Sequence, residues 1–186
     1  MANTMTTVRI ERATINDAAG ISSVAIQAGP LPFKVARIAL SKENQELMIE
    51  SAWRLGAVIL HLKDPKKQIM IARGASNQIL GFTLLSLDDS CPIYLSGGTQ
   101  GNEKHASLEG LYVDPTAHRQ GVRNKLLEQV MSDARKLSLT HIWLMVLEGN
   151  YPAQNLYEKY GFFVVGDTGF PPGLGMHNDL IMVQPL

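Results

Sequence analysis

Between Leu108 and Phe162 the sequence reads LEGLYVDPTAHRQGVRNKLLEQVMSDARKLSLTHIWLMVLEGNYPAQNLYEKYGF, and the period of its apolar residues changes several times along that run. Ser107 to Val113 has the pattern of a strand, stopped at Asp114-Pro115 because proline has no amide proton to give a ladder. From Val122 the apolar positions Val122, Leu126, Leu127, Val130, Met131, Ala134 and Leu137 recur at helical spacing, with Lys125, Glu128, Asp133 and Lys136 on the other side. His141 to Leu147 is nearly continuous in apolar residues, as in a strand covered on both faces. A strand, a crossover helix and a second strand in one sheet form a right-handed unit. Pro152 then suits the first turn of a short helix, and Gly161 its left-handed end. The polar residues of this stretch collect at its turns.

The flanking segments complete a sheet. Val8 to Arg12 alternates like a half-buried strand, and Asn16-Asp17 offers capping oxygens for a helix through Ile26 that Gly29-Pro30 ends. Ser41 to about Leu62 reads as one helical region with a polar start. Gln68 to Ala72 and Ile79 to Leu87 read as a strand pair, the connector Asp88 to Lys104 as a surface excursion, and Phe162 to Val165 and Leu180 to Val183 as two final strands.

With 186 residues the chain has material for one sizeable core, so a single domain over residues 1–186 is expected. Formal net charge is zero and the short basic patch Lys63 to Lys67 is isolated, which argues against nucleic acid as a partner. Cys91 is the one cysteine, in keeping with a reducing, cytoplasmic setting without disulfides. The segment MANTMTT has neither the basic start nor the apolar run of a signal peptide, and without a long apolar stretch no membrane association is expected. No Cys/His spacing calls for a metal.

The turn Thr116 to Asn124 feeds a helix, so its amides and the helix dipole make a site for phosphate. Neither G-x-x-x-x-G-K-[ST] nor a post-strand G-x-G-x-x-G is present, which disfavours mononucleotide kinases and dinucleotide dehydrogenases. The order of elements, the loop His118-Arg119-Gln120-Gly121-Val122-Arg123 and the spacing of Asn150, Ala153, Tyr157, Gly161 and Phe162 together resemble the GCN5-related N-acetyltransferase (GNAT) superfamily. Its loop pattern is R/Q-x-x-G-x-G/A and its second pattern N-x-x-A-x-x-x-Y-x-x-x-G-F. The likeness spans nearly the whole chain.

The resemblance implies an α/β (α+β) domain, a mixed, twisted, mostly antiparallel sheet flanked by helices, with a central strand splay. It implies acetyl-CoA as co-substrate, no metal, and transfer of the acetyl group to a small-molecule or peptide amine by direct attack. In that scheme the backbone of Leu111, Tyr112 and Val113 pairs with the pantetheine arm, and the amides from Arg119 through Gln120, Gly121, Val122 and Arg123 to Asn124, next to His118, receive the pyrophosphate. Asn150 fixes the acyl-pantetheine end. Tyr157 protonates the leaving thiolate, a nearly balanced transfer for an unperturbed phenol of pKa about 10. Glu109 is the first candidate for the base, ahead of His105, His177 and Asp179.

His118 and Arg123 depart from the loop pattern. Arg123, at the middle of the helix's apolar direction where the family has a small residue, either reaches a phosphate oxygen or lays its stem over the core edge. An acyl-CoA-binding module of the same fold is the alternative reading it keeps open. The acceptor walls are expected from 28–62, 88–104 and 169–179, and the chain is expected to be a monomer or a homodimer.

Overall fold

Strand pairing is set by which faces are apolar, and here it yields one continuous sheet. The computed structural model describes residues 8–87, 91, 104–169 and 178–186. The strands are β1 (Arg9–Arg12), β2 (Lys67–Arg73), β3 (Ile79–Leu87), β4 (His105–Val113), β5 (His141–Leu147), β6 (Phe163–Gly169) and β7 (Asn178–Pro185). Among the described residues they form a seven-stranded sheet in the order β1-β2-β3-β4-β5-β7-β6. All neighbours are antiparallel except β4 and β5. The mixed, mostly antiparallel sheet is therefore the expected one, and the helix between β4 and β5 is the expected crossover.

Helices cover both faces. On one side lie α1 (Ala18–Ala28) and α4 (Leu55–Lys63), whose Ile21, Val24 and Val58 pack with Ile71, Phe82 and Leu84 of the sheet. On the other lies α5 (Val122–Lys136), which buries Val122, Leu126, Leu127, Val130, Met131 and Ala134, the face its spacing defines. Leu126 and Leu127 are each 0% exposed, a burial of roughly 1.5–3 kcal/mol per side chain. The helix α6 (Tyr151–Lys159) closes the same side with Ala153, Leu156 and Tyr157, and Gly161 ends it at φ 86°.

Two sequence expectations change. The first helix is capped from Thr14 rather than Asn16: Asp17 Oδ2 accepts from the Thr14 amide at 2.8 Å and hydroxyl at 2.9 Å, reaching back over one turn. The region from Ser41 is not one helix. Ser41 does start α3 (Lys42–Met48) by accepting from the Asn44 amide at 3.1 Å, and α2 (Leu31–Val35) precedes it. A π-helical turn then runs over Ile49–Trp53, and Arg54 is extended at ψ 153°. The buried Ser22 hydroxyl of α1 donates to the Trp53 carbonyl at 2.7 Å, so tertiary packing takes the bond that a continuing helix would use. Most of the Asp88–Lys104 connector, with Phe170 and His177, lies outside the described residues.

Candidate active site

The site is built where β4 and β5 part. Their parallel pairing spans only His105, Ala106 and Ser107 against His141, Ile142 and Trp143. Beyond that, β4 continues to Val113 and β5 to Leu147 without pairing to each other, which is the splay that the resemblance implies. The β5-facing edge of Leu111 to Val113 thus has no strand neighbour among the described residues. An extended ligand can add there as a strand would.

A bulge in β4 decides which side chains face which way. Leu84 pairs with Gly110 and Leu85 with Leu108, so Glu109 is the extra residue. Before the bulge Ala106 and Leu108 join the core under α5, and after it Leu111 and Val113 do. The one-residue shift sends Tyr112 to the opposite face, against Trp53 and Phe82. Leu111 and Tyr112 thus leave their β5-facing backbone edge open, while their side chains belong to the core.

After Val113 the chain turns without losing order. Asp114 Oδ1 accepts from the Thr116 amide at 2.8 Å and its hydroxyl at 2.6 Å. The His118 ring lies 3.3 Å from the Val113 carbonyl, and Gln120 Nε2 donates back to the Thr116 carbonyl at 3.2 Å. Arg119 is left-handed at φ 65° and Gly121 at φ 74°, which curls the loop's amides inward. Gly121 is the N-cap of α5 with no side-chain cap and no acidic residue in the first turn. The first amides of the helix are therefore left for a ligand.

These elements wall a cleft of about 590 Å³. His118, Arg119, Arg123 and Asn124 come from the loop and α5, and Asn155 and Lys159 from α6. Three full cations and no carboxylate line it, the composition a polyphosphate needs. Val113, Gly121 and Val122 also line it, whereas Gln120 is occupied in closing the loop.

Across the cleft, α6 presents the second motif. Asn150 is the N-cap of α6, yet its side chain makes no capping bond; the turn is closed instead by its own carbonyl and by Gln154, whose Nε2 donates to the carbonyls of Leu147 and Glu148 at 3.0 and 2.6 Å. Asn150 is left for another partner. Tyr157 rests against Phe162, ring centroids 5.8 Å apart, and desolvation pushes its phenol up to about 12, the Arg123 charge acting the other way. The nearly balanced transfer expected from an unperturbed phenol does not hold: full donation to a thiolate of pKa about 8.5 is uphill by roughly 5 kcal/mol. A buried phenol that keeps its proton can still donate a hydrogen bond to an atom on which negative charge develops.

The opposite face of β4 carries an ion pair and a group of aromatic rings. Glu109 accepts at both carboxylate oxygens from Lys67 Nζ, at 2.9 and 2.7 Å. Trp53 packs edge-on to Tyr112 at 4.9 Å and meets the His61 ring at 6.2 Å. A Cβ on Gly149 would come within 2.9 Å of Ala36, so the segment after α2 closes tightly on the chain leaving β5. His105 stacks on His141 at 5.3 Å where the two strands still pair, at the far end of β4 from the glycine loop. Asp179 is 8% exposed and faces Leu147 in the ladder. His105 thus sits at the end of β4 away from the glycine loop, whereas Asp179 sits beside the end of β5 that leads to Asn150. His61, which the sequence does not single out because a lone histidine on an apolar helix carries no local signal, lies beside these rings.

A strand splay beside a cationic, glycine-turned helix N-terminus, with a tyrosine and an asparagine opposite, defines the acyl-CoA-dependent N-acetyltransferase fold. The model of the acetyltransferase (GNAT) family matches residues 35–162, and this chain belongs to that family. It is 30% identical over 114 residues to the ribosomal protein bS18 alanine N-acetyltransferase of Escherichia coli K12, spanning 60% of this chain and 77% of that protein. The crystal structure of the Escherichia coli enzyme of that name superposes with a TM-score of 0.69 at 18% identity, covering 96% of this chain and 94% of the other. The PaiA N-acetyltransferase of Thermoplasma acidophilum, solved with coenzyme A, gives 0.73 at 21% identity over 97% and 99%. The chain is accordingly an acetyltransferase. Among the described residues no cluster of three or more His, Cys, Asp or Glu could hold a metal, and no helix is long and apolar enough to cross a membrane.

Proposed function

We propose that the protein moves an acetyl group from acetyl-CoA to a primary amine by direct attack, through a ternary complex and without an acyl-enzyme. The open edge of β4 running into the acid-free cleft at the start of α5 carries this reading. The pantetheine arm adds to Leu111, Tyr112 and Val113, and the pyrophosphate meets the amides from Arg119 to Asn124. Asn150 holds the acyl end of the arm. The amine approaches from the Glu109 side, attacks the thioester carbonyl, and the C–S bond breaks toward Tyr157. Small-molecule amines and peptide α-amines are both candidate acceptors, the latter because of the alanine acetylated by the Escherichia coli relative.

Turnover of acetyl-CoA with a panel of amines and short peptides, followed as free thiol, tests it. Saturable turnover with at least one acceptor is expected, and tight acetyl-CoA binding without turnover would leave the alternative, a binding module of this fold. Arg123 is the observation that favours the alternative, since a large cation stands where the family has a small residue. Its position in the cleft instead supports contact with a phosphate. Arg123→Gly is therefore expected to weaken acetyl-CoA binding about tenfold, on the scale of a charge-assisted hydrogen bond, measured by calorimetry. Unchanged or tighter binding would remove that role.

A further inference from the structure

Deprotonation of the acceptor is the step for which the fold supplies an unexpected group. An amine reaches an enzyme at neutral pH largely as ammonium and must lose a proton before it can attack. Glu109 is the first recipient on sequence grounds, but both its oxygens accept from Lys67 Nζ, at 2.9 and 2.7 Å, so it meets an incoming amine as one half of an ion pair. His61, in the last turn of α4, is a second titratable group beside this face. Its ring meets Trp53 at 6.2 Å, Trp53 meets Tyr112 at 4.9 Å, and Tyr112 lies on the segment of β4 that borders the splay. A neutral imidazole keeps one ring nitrogen as an acceptor, so His61 has a lone pair to offer a proton.

We infer that His61 is the proton acceptor for the amine, directly or through one water, and that Glu109 and Lys67 set its charge. The inference rests on the acetyl-transfer reading. One proton of the ammonium passes to the imidazole and on to solvent. The amine nitrogen then bonds to the acetyl carbon, the C–S bond breaks, and the second proton released by nitrogen ends on the sulfur, next to Tyr157.

The charges around His61 give the test its direction. Burial and the Lys67 ammonium hold its pKa below the ordinary 6.5, while Glu109 and Asp64 act to raise it. Lys67 acts on it from β2, Glu109 from β4 and Asp64 from the end of its own helix. Of the other elements packed on α4, α1 carries no ionisable side chain, the π-helical turn carries Glu50, paired with Arg54 at 2.6 Å, and the turn Ile15–Asp17 carries Asp17, paired with Arg73 at 2.6 Å. The neutral form predominates at pH 7, as a base requires.

The experiment is the pH profile of kcat/KM for wild type, His61→Asn, Glu109→Gln and Lys67→Met, with one acceptor throughout so that the amine's own ionisation is common to all four. His61→Asn is expected to lose the enzyme's acid limb and about a hundredfold in rate while acetyl-CoA affinity is retained. Glu109→Gln, which removes a charge that raises the histidine's pKa, is expected to move the limb down. Lys67→Met is expected to move it up. If Glu109→Gln abolishes the limb and His61→Asn leaves it in place, Glu109 is the base and the inference is wrong. Should His61→Asn fail to bind acetyl-CoA through misfolding, the opposed shifts of the other two variants decide, and coincident profiles for those two also overturn it. Wild-type protein that turns over no amine at any pH would instead refute the acetyl-transfer reading itself.

Discussion

Tyr157→Phe is expected to lower kcat by about a hundredfold or more with little change in acetyl-CoA affinity. The change removes one oxygen and keeps the ring that packs on Phe162, so the core loses almost nothing. What is lost is the hydroxyl hydrogen bond to sulfur, which is weak to a thioester and strong to a departing thiolate. An interaction made mainly in the transition state lowers kcat and kcat/KM together. Because burial holds the phenol near 12, its own ionisation will not appear as an alkaline limb in the range where the enzyme can be assayed. Burial raises the Tyr112 phenol too, with charge on Tyr157 adding to the shift, so both phenols stay protonated. Stopped-flow single turnover with saturating acetyl-CoA would isolate the chemical step. A loss smaller than fivefold there, about 1 kcal/mol of barrier, would take Tyr157 out of the leaving-group role.

Which parts of this site the sequence disclosed follows from how local each determinant is. The glycine loop, α5 and the Asn150 to Phe162 motif were legible because their residues act within a loop or a short helix: Gly121 must be left-handed to start α5, and Arg123 falls in the direction of Val130 and Ala134, mid-way across the apolar face, by helical geometry alone. The acceptor side was not legible, since it depends on contacts distant along the chain. Lys67 and Glu109 are 42 residues apart, and they meet because a bulge in β4 redirects a single residue. Nothing in the alternation of Ser107 to Val113 announces that bulge. The π-helical turn that places Trp53 and Ala52 depends in the same way on Ser22, 31 residues earlier. His105 carried the right chemistry for a base, and strand pairing sets it at the end of β4 away from the glycine loop.

Phe82→Ala should be the most destabilising single change that also reads out on the site. Phe82 is 0% exposed at the centre of the sheet face under α1 and α4, its ring stacked on Tyr112 at 5.4 Å and edge-on to Trp53 at 5.5 Å. Truncation forfeits the transfer energy of the ring and leaves a cavity between two rigid aromatics that cannot both collapse into it, a cost of about 3–5 kcal/mol. For a domain of this size the fall in Tm is on the order of 10 °C, readable by calorimetry. The consequence for function is one-sided. Tyr112 and Trp53 would lose the surface that holds them, and with them the acceptor wall and the ring against which His61 rests. The cationic cleft, on the α5 face of the sheet, keeps its walls. At a temperature well below the new Tm, the acceptor KM is therefore expected to rise while the acetyl-CoA Kd stays near the wild-type value. Phe82→Leu, which refills most of the volume but restores neither ring contact, separates the two contributions: recovered Tm with a still elevated acceptor KM means the aromatic contacts shape the acceptor side. If acetyl-CoA affinity falls in parallel with the acceptor's, the two faces of β4 are not independent, and the division of the site into a cofactor side and an acceptor side fails.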